Sequence, residues 1–84
     1  MHFVYVLYFR QIQRFYIGYT ADLNRRIKEH QNGKVASTLR MGSFEPIFSE
    51  VFCCKGDALR REKYFKTTKG KRALRLILRD ALKV

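Results

Sequence analysis

Acidic residues are scarce in this chain of 84 residues. Seven Asp and Glu stand against 18 Lys and Arg, which leaves a net charge of +11. Self-repulsion of this size opposes a compact fold, so the excess indicates a polyanionic partner, of which nucleic acid is the commonest. The alternative is an ordinary basic protein whose charged face is only solvated.

Long apolar runs are missing as well. No segment approaches the roughly 20 residues that cross a bilayer, and the apolar N-terminal stretch is too short and too aromatic for a signal peptide. We therefore expect a cytoplasmic protein that does not contact membranes. The length predicts one small domain over residues 1–84, and the chain contains no internal repeat, linker or low-complexity segment.

Cysteine is limited to one adjacent pair, Cys53 and Cys54. Neighbouring side chains on a strand point to opposite faces, so a disulfide between them would need strained geometry. The absence of a second pair argues against a zinc site. We expect both cysteines to pack as ordinary strand residues.

Aromatic and apolar residues are abundant, at 14% and 46% of the chain, and favour a folded globule. They are densest in residues 4–9 and 15–19, which predict two strands of a hairpin joined by the polar residues 10–14. Because side chains alternate between the faces of a strand, Tyr16 and Gly18 share one face of the second strand.

The rest of the chain predicts three helices and one further strand. Thr20 at the N-cap and Asp22 in the first turn predict a helix over residues 22–31, which Asn32 and Gly33 end. Residues 34–42 are polar and basic, as expected for a loop or one helical turn.

A third strand is predicted over residues 47–54, after Pro46. Helices over residues 57–67 and 72–82 follow, separated by the segment 69–71 around Gly70. The order β-β-α-β-α-α indicates an α+β fold, in which a three-stranded antiparallel sheet is flanked by helices. The order of the strands in the sheet stays open.

Two polar residues lie beside the apolar stripe of the first helix. Leu23 and Ile27 define the stripe, His30 falls on its edge and Arg26 flanks it. Polar groups at such positions need partners. The alternative is a core histidine bonded to the backbone and a surface arginine whose stem packs along the helix.

Glu62 lies in the middle of the inward arc of the second long helix, between Ala58 and Phe65. A buried carboxylate without a partner is costly or takes up a proton. Glu62 therefore needs a cation, which is either Arg26 in an ion pair or a divalent metal. By frequency alone the ion pair is the commoner solution.

The last helix separates its faces. Leu74, Ile77, Leu78, Ala81 and Leu82 form an apolar side, opposite a basic stripe without interspersed acids. With flanking lysines and two cations of the 34–42 loop, this stripe predicts a track for a phosphate backbone. Its candidate residues are Lys34, Arg40, Lys69, Lys71, Arg72, Arg75, Arg79 and Lys83.

Two tyrosines and three polar residues, Arg26, His30 and Glu62, follow one another in the order and spacing of a known family. Tyr5 stands eleven positions before the tripeptide Tyr16-Ile17-Gly18, and Arg26, His30 and Glu62 follow. This pattern resembles the GIY-YIG nuclease superfamily, and in particular its small stand-alone bacterial members, which are related to the nuclease module of excision-repair and homing endonucleases. The resemblance extends over nearly the whole chain.

Two positions depart from the family pattern. Phe3 stands where the first tripeptide opens with glycine. Many members also carry an asparagine after the glutamate helix, and this chain has none there, which leaves Thr67 or Thr68 for that role.

The resemblance implies a metal-dependent endonuclease that hydrolyses phosphodiester bonds in DNA, in repair or recombination. It implies that Glu62 is the single protein ligand of one Mg²⁺ or Mn²⁺ ion, and that Tyr5 is the general base. Arg26 would bind the non-bridging phosphate oxygens.

The same resemblance gives roles to three further residues. Tyr16 and His30 would orient the water and the phosphate and relay protons, and Gly18 would allow a close approach of backbone or substrate. The alternative is a non-catalytic nucleic-acid-binding module of the same fold, or more remotely a basic subunit that binds an acidic protein. RNA as the nucleic acid and a protein partner that supplies specificity also stay open.

Overall fold

The computed structural model describes all residues, 1–84, and contains three strands and five helices. The strands are β1 (His2–Phe9), β2 (Arg14–Thr20) and β3 (Glu45–Phe52). The helices are α1 (Leu23–Gln31), α2 (Ala36–Leu39), α3 (Lys55–Phe65), α4 (Thr68–Ile77) and α5 (Arg79–Lys83). None of the five has the length and apolarity needed to cross a membrane.

The sheet is antiparallel with the order β2-β1-β3, so β1 is central and both other strands are edges. This confirms the predicted α+β class with a three-stranded antiparallel sheet. In the register of the sheet, Tyr5 lies opposite Gly18 of β2 on one side and Ser49 of β3 on the other.

Each face of the sheet supports its own cluster of apolar side chains. Alternate residues of β1 divide between the two, as the pleat requires. On one face Val4 and Val6 pack with Ile17 under α3 and α4, through Ala58, Phe65, Leu74 and Leu78. On the other face Tyr5, Leu7 and Phe9 pack with Tyr16, Leu23, Ile27, Met41 and Phe44.

The prediction for the two cysteines was wrong. β3 begins and ends two residues earlier than predicted, at Glu45 and Phe52, so Cys53 and Cys54 follow the strand and are exposed. Cys54 is the N-cap residue of α3, which begins at Lys55 rather than at residue 57. Lys55 and Gly56 were expected to lie between the strand and the helix, but they form the first turn of α3, where glycine is tolerated.

The start of α1 also differs from the prediction. Asp22, not Thr20, is the N-cap, and its carboxylate accepts a hydrogen bond from Arg25 N at 3.1 Å. Thr20 instead accepts from Asp22 N at 3.0 Å. At the other end Gly33 adopts the expected left-handed conformation with φ of 71°, whereas Asn32 at φ −88° does not.

Gly70 lies inside α4 and not in a break between helices. It is buried where α4 crosses the end of α3, and a Cβ at this position would overlap Tyr64 O and Phe65 Cα. Helix propensity disfavours glycine here, but close packing of the two backbones requires it. Thr67 is the N-cap of α4, and its hydroxyl accepts from Gly70 N at 3.0 Å and donates to Tyr64 O.

The predicted last helix is divided in two at Leu78, which ends α4 and precedes α5. Leu74 and Leu78 are buried, and Ala81 and Leu82 are partly buried against the same cluster. Ile77 was predicted on the apolar side but is 47% exposed, because α4 ends there and the chain turns.

Candidate active site

The side chain of Tyr5 extends from the central strand over the edge strand β2. Its side chain is almost fully buried, with 2% exposed, and its phenol ring lies directly over Gly18 of β2. Any Cβ at Gly18 would overlap the Cζ and hydroxyl oxygen of Tyr5. Because β2 has no outer neighbour, the absence of a side chain at Gly18 brings the Tyr5 hydroxyl to the rim of the sheet.

α1 supplies two side chains to this hydroxyl. His30 Nε2 lies 2.7 Å from the Tyr5 oxygen, and Arg26 Nε donates to the same oxygen at 3.4 Å. His30 lies in the last turn of α1, next to the final residue of the helix, and is nevertheless buried, with 4% exposed. Arg26 and His30 are one turn apart, which places both on the side of the helix that packs on the sheet.

Thr38 of α2 bonds the other ring nitrogen of His30. Its Oγ1 lies 2.8 Å from Nδ1 and donates its single hydrogen to Val35 O at 3.3 Å. The Thr38 oxygen must then accept from Nδ1–H, which leaves Nε2 of a neutral imidazole as an acceptor. The Tyr5 hydroxyl therefore donates to His30, and the chain of hydrogen bonds runs in one direction from Arg26 to Val35.

Tyr16 borders this chain without bonding to it. Its ring centroid lies 5.1 Å from that of His30 and 6.3 Å from that of Tyr5. Its partly exposed hydroxyl accepts from Ser37 Oγ at 3.4 Å. Three ring side chains thus meet beside β2, and the outermost of them reaches solvent.

Burial keeps both central groups neutral near neutral pH. It raises the pKa of Tyr5 to about 12, and the hydrogen bond and charge of Arg26 offset only part of this rise. Burial also lowers the pKa of His30 below its usual 6.5, an effect that the Arg26 charge strengthens and the Glu29 charge opposes.

Glu62 does not form the ion pair with Arg26 that frequency favoured. Arg26 instead pairs with Glu29 at 3.1 Å, and Glu62 accepts from Lys66 Nζ at 3.3 Å. Arg26 and Glu29 both belong to α1, and Lys66 is the C-cap residue of α3, whereas α1 and α3 pack on opposite faces of the sheet. The Glu62 side chain is 20% exposed. The pKa of Tyr5 is raised mainly by burial, and the negative charge of Glu62 makes a smaller contribution in the same direction.

Comparison with known sequences identifies the family. The GIY-YIG catalytic domain family matches residues 1–75. The chain belongs to the GIY-YIG family. Membership implies nuclease-type function, with DNA as the substrate class and a divalent metal as the general requirement of GIY-YIG nucleases.

Small bacterial proteins are among the relatives of this GIY-YIG chain. The UPF0213 protein YazA of Bacillus subtilis is 41% identical over 66 residues, which cover 77% of this chain and 66% of that protein. The UPF0213 protein SERP0126 of Staphylococcus epidermidis is 34% identical over 77 residues, which cover 90% and 93%.

A solved structure shares the fold. The solution NMR structure of the UPF0213 protein BH0048 from Bacillus halodurans matches with a TM-score of 0.56 and 35% identity. The match covers 90% of this chain and 83% of that chain.

Glu62 fits the metal requirement of the GIY-YIG family. No three His, Cys, Asp or Glu side chains converge anywhere in the chain, so the protein forms no all-protein metal cage. A single carboxylate suits Mg²⁺, which keeps several waters and takes its other ligands from substrate phosphate. The partner of Glu62 is the 55% exposed Lys66, whose ammonium group can return to solvent when a metal binds the carboxylate.

The predicted phosphate-binding residues fall into separate groups. All eight are exposed and none forms an ion pair. Lys71 and Arg75 line one cleft beside the hairpin, while the break at Leu78 places Arg79 and Lys83 on α5. Lys34 and Arg40 flank α2, near the His30 side of the sheet.

Sequence reasoning missed Thr38 and Arg14. Thr38 bonds His30 and Arg14 lines the cleft with Lys71 and Arg75. The only signal for Thr38 is a hydroxyl residue eight positions after His30, beyond the left-handed Gly33 that reverses the chain. No local signal indicates Arg14, because its neighbours come from α4.

Proposed function

We propose that this protein is a metal-dependent endonuclease that hydrolyses DNA phosphodiester bonds at the β2 edge of its sheet. The observation that supports this best is the directed chain of hydrogen bonds from Arg26 through Tyr5 and His30 to Thr38. A buried chain of this kind can accept one proton at the rim of the sheet and hold it in the interior. Hydrolysis requires such an acceptor for the attacking water.

Tyr5 acts as a relay that passes a proton to His30. A free phenolate is disfavoured, because burial holds the pKa of Tyr5 at about 12. The hydroxyl instead takes a proton from water while it gives its own to His30 Nε2. The water oxygen bonds to phosphorus, the bond from phosphorus to the 3′ oxygen breaks, and the released 3′ oxygen takes up a proton from solvent water. The resulting imidazolium keeps its bond to Thr38 and is stabilised by the charge of Glu29.

The remaining residues act on the phosphate. Arg26 offers a planar, permanently charged fork to the non-bridging oxygens. Tyr16, whose hydroxyl reaches solvent, orients the phosphate and the water. Glu62 would hold Mg²⁺ or Mn²⁺, and the ion would supply positive charge that stabilises the developing charge on the phosphate.

We further propose that residues 1–84 act as one domain, because Leu78 and the partly buried Leu82, beyond the matched segment, pack against its core. The exposed cations bind the flanking backbone by charge and not by base contacts. A role in DNA repair or recombination is part of the proposal, since exposed cations that bind the backbone suit recognition of DNA shape rather than of base sequence.

A cleavage assay at low salt tests the proposal. Duplex, single-stranded, flap and branched DNA and a structured RNA are each incubated with wild type, with and without Mg²⁺ or Mn²⁺. We expect metal-dependent cleavage of at least one DNA substrate, and a loss of roughly 10²- to 10⁴-fold in Tyr5→Phe, the range typical of proton-transfer groups.

Other results would change the assignment. Salt-sensitive binding to every substrate without cleavage would indicate a non-catalytic nucleic-acid-binding module. Cleavage of the RNA but of none of the DNA substrates would identify RNA, and not DNA, as the substrate. Binding to an acidic protein that DNA does not compete would indicate a basic accessory subunit.

A further inference from the structure

A small cleft lies where α4 meets the β1–β2 hairpin. It has a volume of about 230 Å³ and is lined by Gln13, Arg14, Phe15, Lys71 and Arg75. Its walls come from two distant parts of the sequence, which the crossing of α4 over α3 at Gly70 brings together. None of the five residues belongs to the Tyr5 and His30 cluster.

Arg75 is held in place at this cleft. Its guanidinium carbon lies 5.0 Å from the centroid of the Phe15 ring, and its Nη2 donates to Gln13 O at 3.4 Å. Gln13 is the one residue other than glycine with a positive φ, at 53°. The guanidinium is therefore positioned by a stacked ring and a turn carbonyl before any ligand binds, which lowers the entropy cost of binding.

The cleft concentrates positive charge without compensation. Arg14, Lys71 and Arg75 face one concave space, and none of the seven acidic residues of the chain lines it or pairs with its cations. The five ion pairs of the protein all lie elsewhere. Three like charges around one cavity repel one another, and an anion in the cavity would remove that repulsion.

We propose that this cleft is a second phosphate-binding subsite, which takes a backbone phosphodiester of the nucleic acid other than the scissile one. Phe15 precedes Gly18 by three residues on β2, which is about 10 Å along the strand, and it packs on the face of the sheet opposite to Tyr5. A strand that follows the β2 edge would place one phosphate at Tyr5 and a nearby phosphate in the cleft. The choice of ligand rests on the proposed nuclease function.

Binding measured without divalent metal tests the subsite, because it does not depend on cleavage. Fluorescence polarisation with a labelled DNA duplex gives the slope of log affinity against log salt concentration. We expect Lys71→Ala and Arg75→Ala each to reduce the magnitude of this slope by about 1. Arg60→Ala, which removes an exposed arginine paired with Asp57, should leave the slope unchanged.

Replacement of single phosphates by neutral methylphosphonates locates the contact. For wild type we expect that a methylphosphonate at one position other than the reactive phosphate weakens DNA binding. For Arg75→Ala the same replacement should cause no further loss of affinity. Arg75→Lys keeps the charge and loses the planar stack, so it should retain most of the salt slope. Thermal unfolding of each variant checks the fold.

Three results would overturn the subsite. The first is an unchanged salt slope in both alanine variants. The second is equal sensitivity of wild type and Arg75→Ala to every methylphosphonate. The third is NMR shifts at Arg75 on titration with inorganic phosphate while the DNA slope does not depend on Arg75, which would indicate a site for a free anion. If DNA binds through the cleft but is never cut, the subsite stands and the nuclease proposal fails.

Discussion

The Tyr5 hydroxyl donates a hydrogen bond to His30 Nε2 across 2.7 Å in the interior of the protein, and the missing side chain of Gly18 makes this contact possible. The two residues come from a central strand and the last turn of α1. Their side chains meet because the phenol ring passes over the backbone of the edge strand. Gly18, the third residue of the YIG tripeptide, therefore determines where the Tyr5 hydroxyl lies.

Gly18→Ala should displace Tyr5 from this position. A methyl group at Gly18 would overlap the phenol ring of Tyr5. The ring would have to move away from His30, and Nε2 of His30 would lose its hydrogen-bond partner. We expect cleavage to fall by roughly 10²-fold or more, the range of a lost proton-transfer group. The matched control is Gly56→Ala, where the nearest atom is the flexible end of Arg60 at 3.8 Å and helix propensity improves. Equal loss of activity in both variants would contradict the account.

Thr38→Val should change the tautomer of His30. The substitution keeps the shape and removes the acceptor of Nδ1–H, so the ring should shift its proton to Nε2 and stop accepting from Tyr5. The shift leaves the Tyr5 O–H donor and the Nδ1 acceptor of His30 without protein partners, which should lower the free energy of unfolding by about 1–3 kcal/mol. Nitrogen chemical shifts of the imidazole report the tautomer directly. Thr38→Ser keeps the hydroxyl and should retain the wild-type tautomer, and an unchanged tautomer in Thr38→Val would refute the directed chain.

The pH dependence of cleavage should follow His30 and not Tyr5. Protonated His30 cannot accept the proton of Tyr5, so the rate should rise as pH increases through the pKa of His30, which lies below 6.5, and stay level above it. A rate that keeps rising towards the pH range where phenols ionise would indicate a phenolate base instead.

NMR titration tests the causes of the His30 shift without any activity. Arg26→Gln removes a positive neighbour and should raise the pKa of His30, whereas Glu29→Gln removes a negative neighbour and should lower it. Shifts of the same sign in both variants would exclude the electrostatic explanation.

The sequence was informative where local patterns decide the structure. Alternation along β1 and β2 predicts that Tyr16 and Gly18 share a face, and the apolar stripe of α1 predicts that His30 lies on its edge and Arg26 beside it. These expectations agree with the register and with the contacts of Tyr5. The roles of these residues in catalysis stay proposals.

Features that depend on long-range packing could not be predicted. The low helix propensity of glycine predicts a helix break at Gly70, yet the crossing of α3 and α4 requires a residue without a side chain there. The Thr38 partner of His30 and the cleft of Arg14 both depend on chain reversals whose geometry no local pattern gives. The ion pair between Arg26 and Glu62, one of the two alternatives for Glu62, does not form, because Arg26 pairs with Glu29 and Glu62 pairs with Lys66.

Glu62→Ala provides the most direct measurement of the central claim. Cleavage of branched and duplex DNA is followed at low salt over a Mg²⁺ titration, with Asp57→Ala as the control for loss of an exposed carboxylate from the same helix. The account predicts metal-dependent cleavage by wild type and Asp57→Ala, abolished by chelation, and none by Glu62→Ala, whose DNA affinity without metal stays unchanged or rises. Cleavage by Glu62→Ala at the wild-type rate and with the same metal dependence would contradict it.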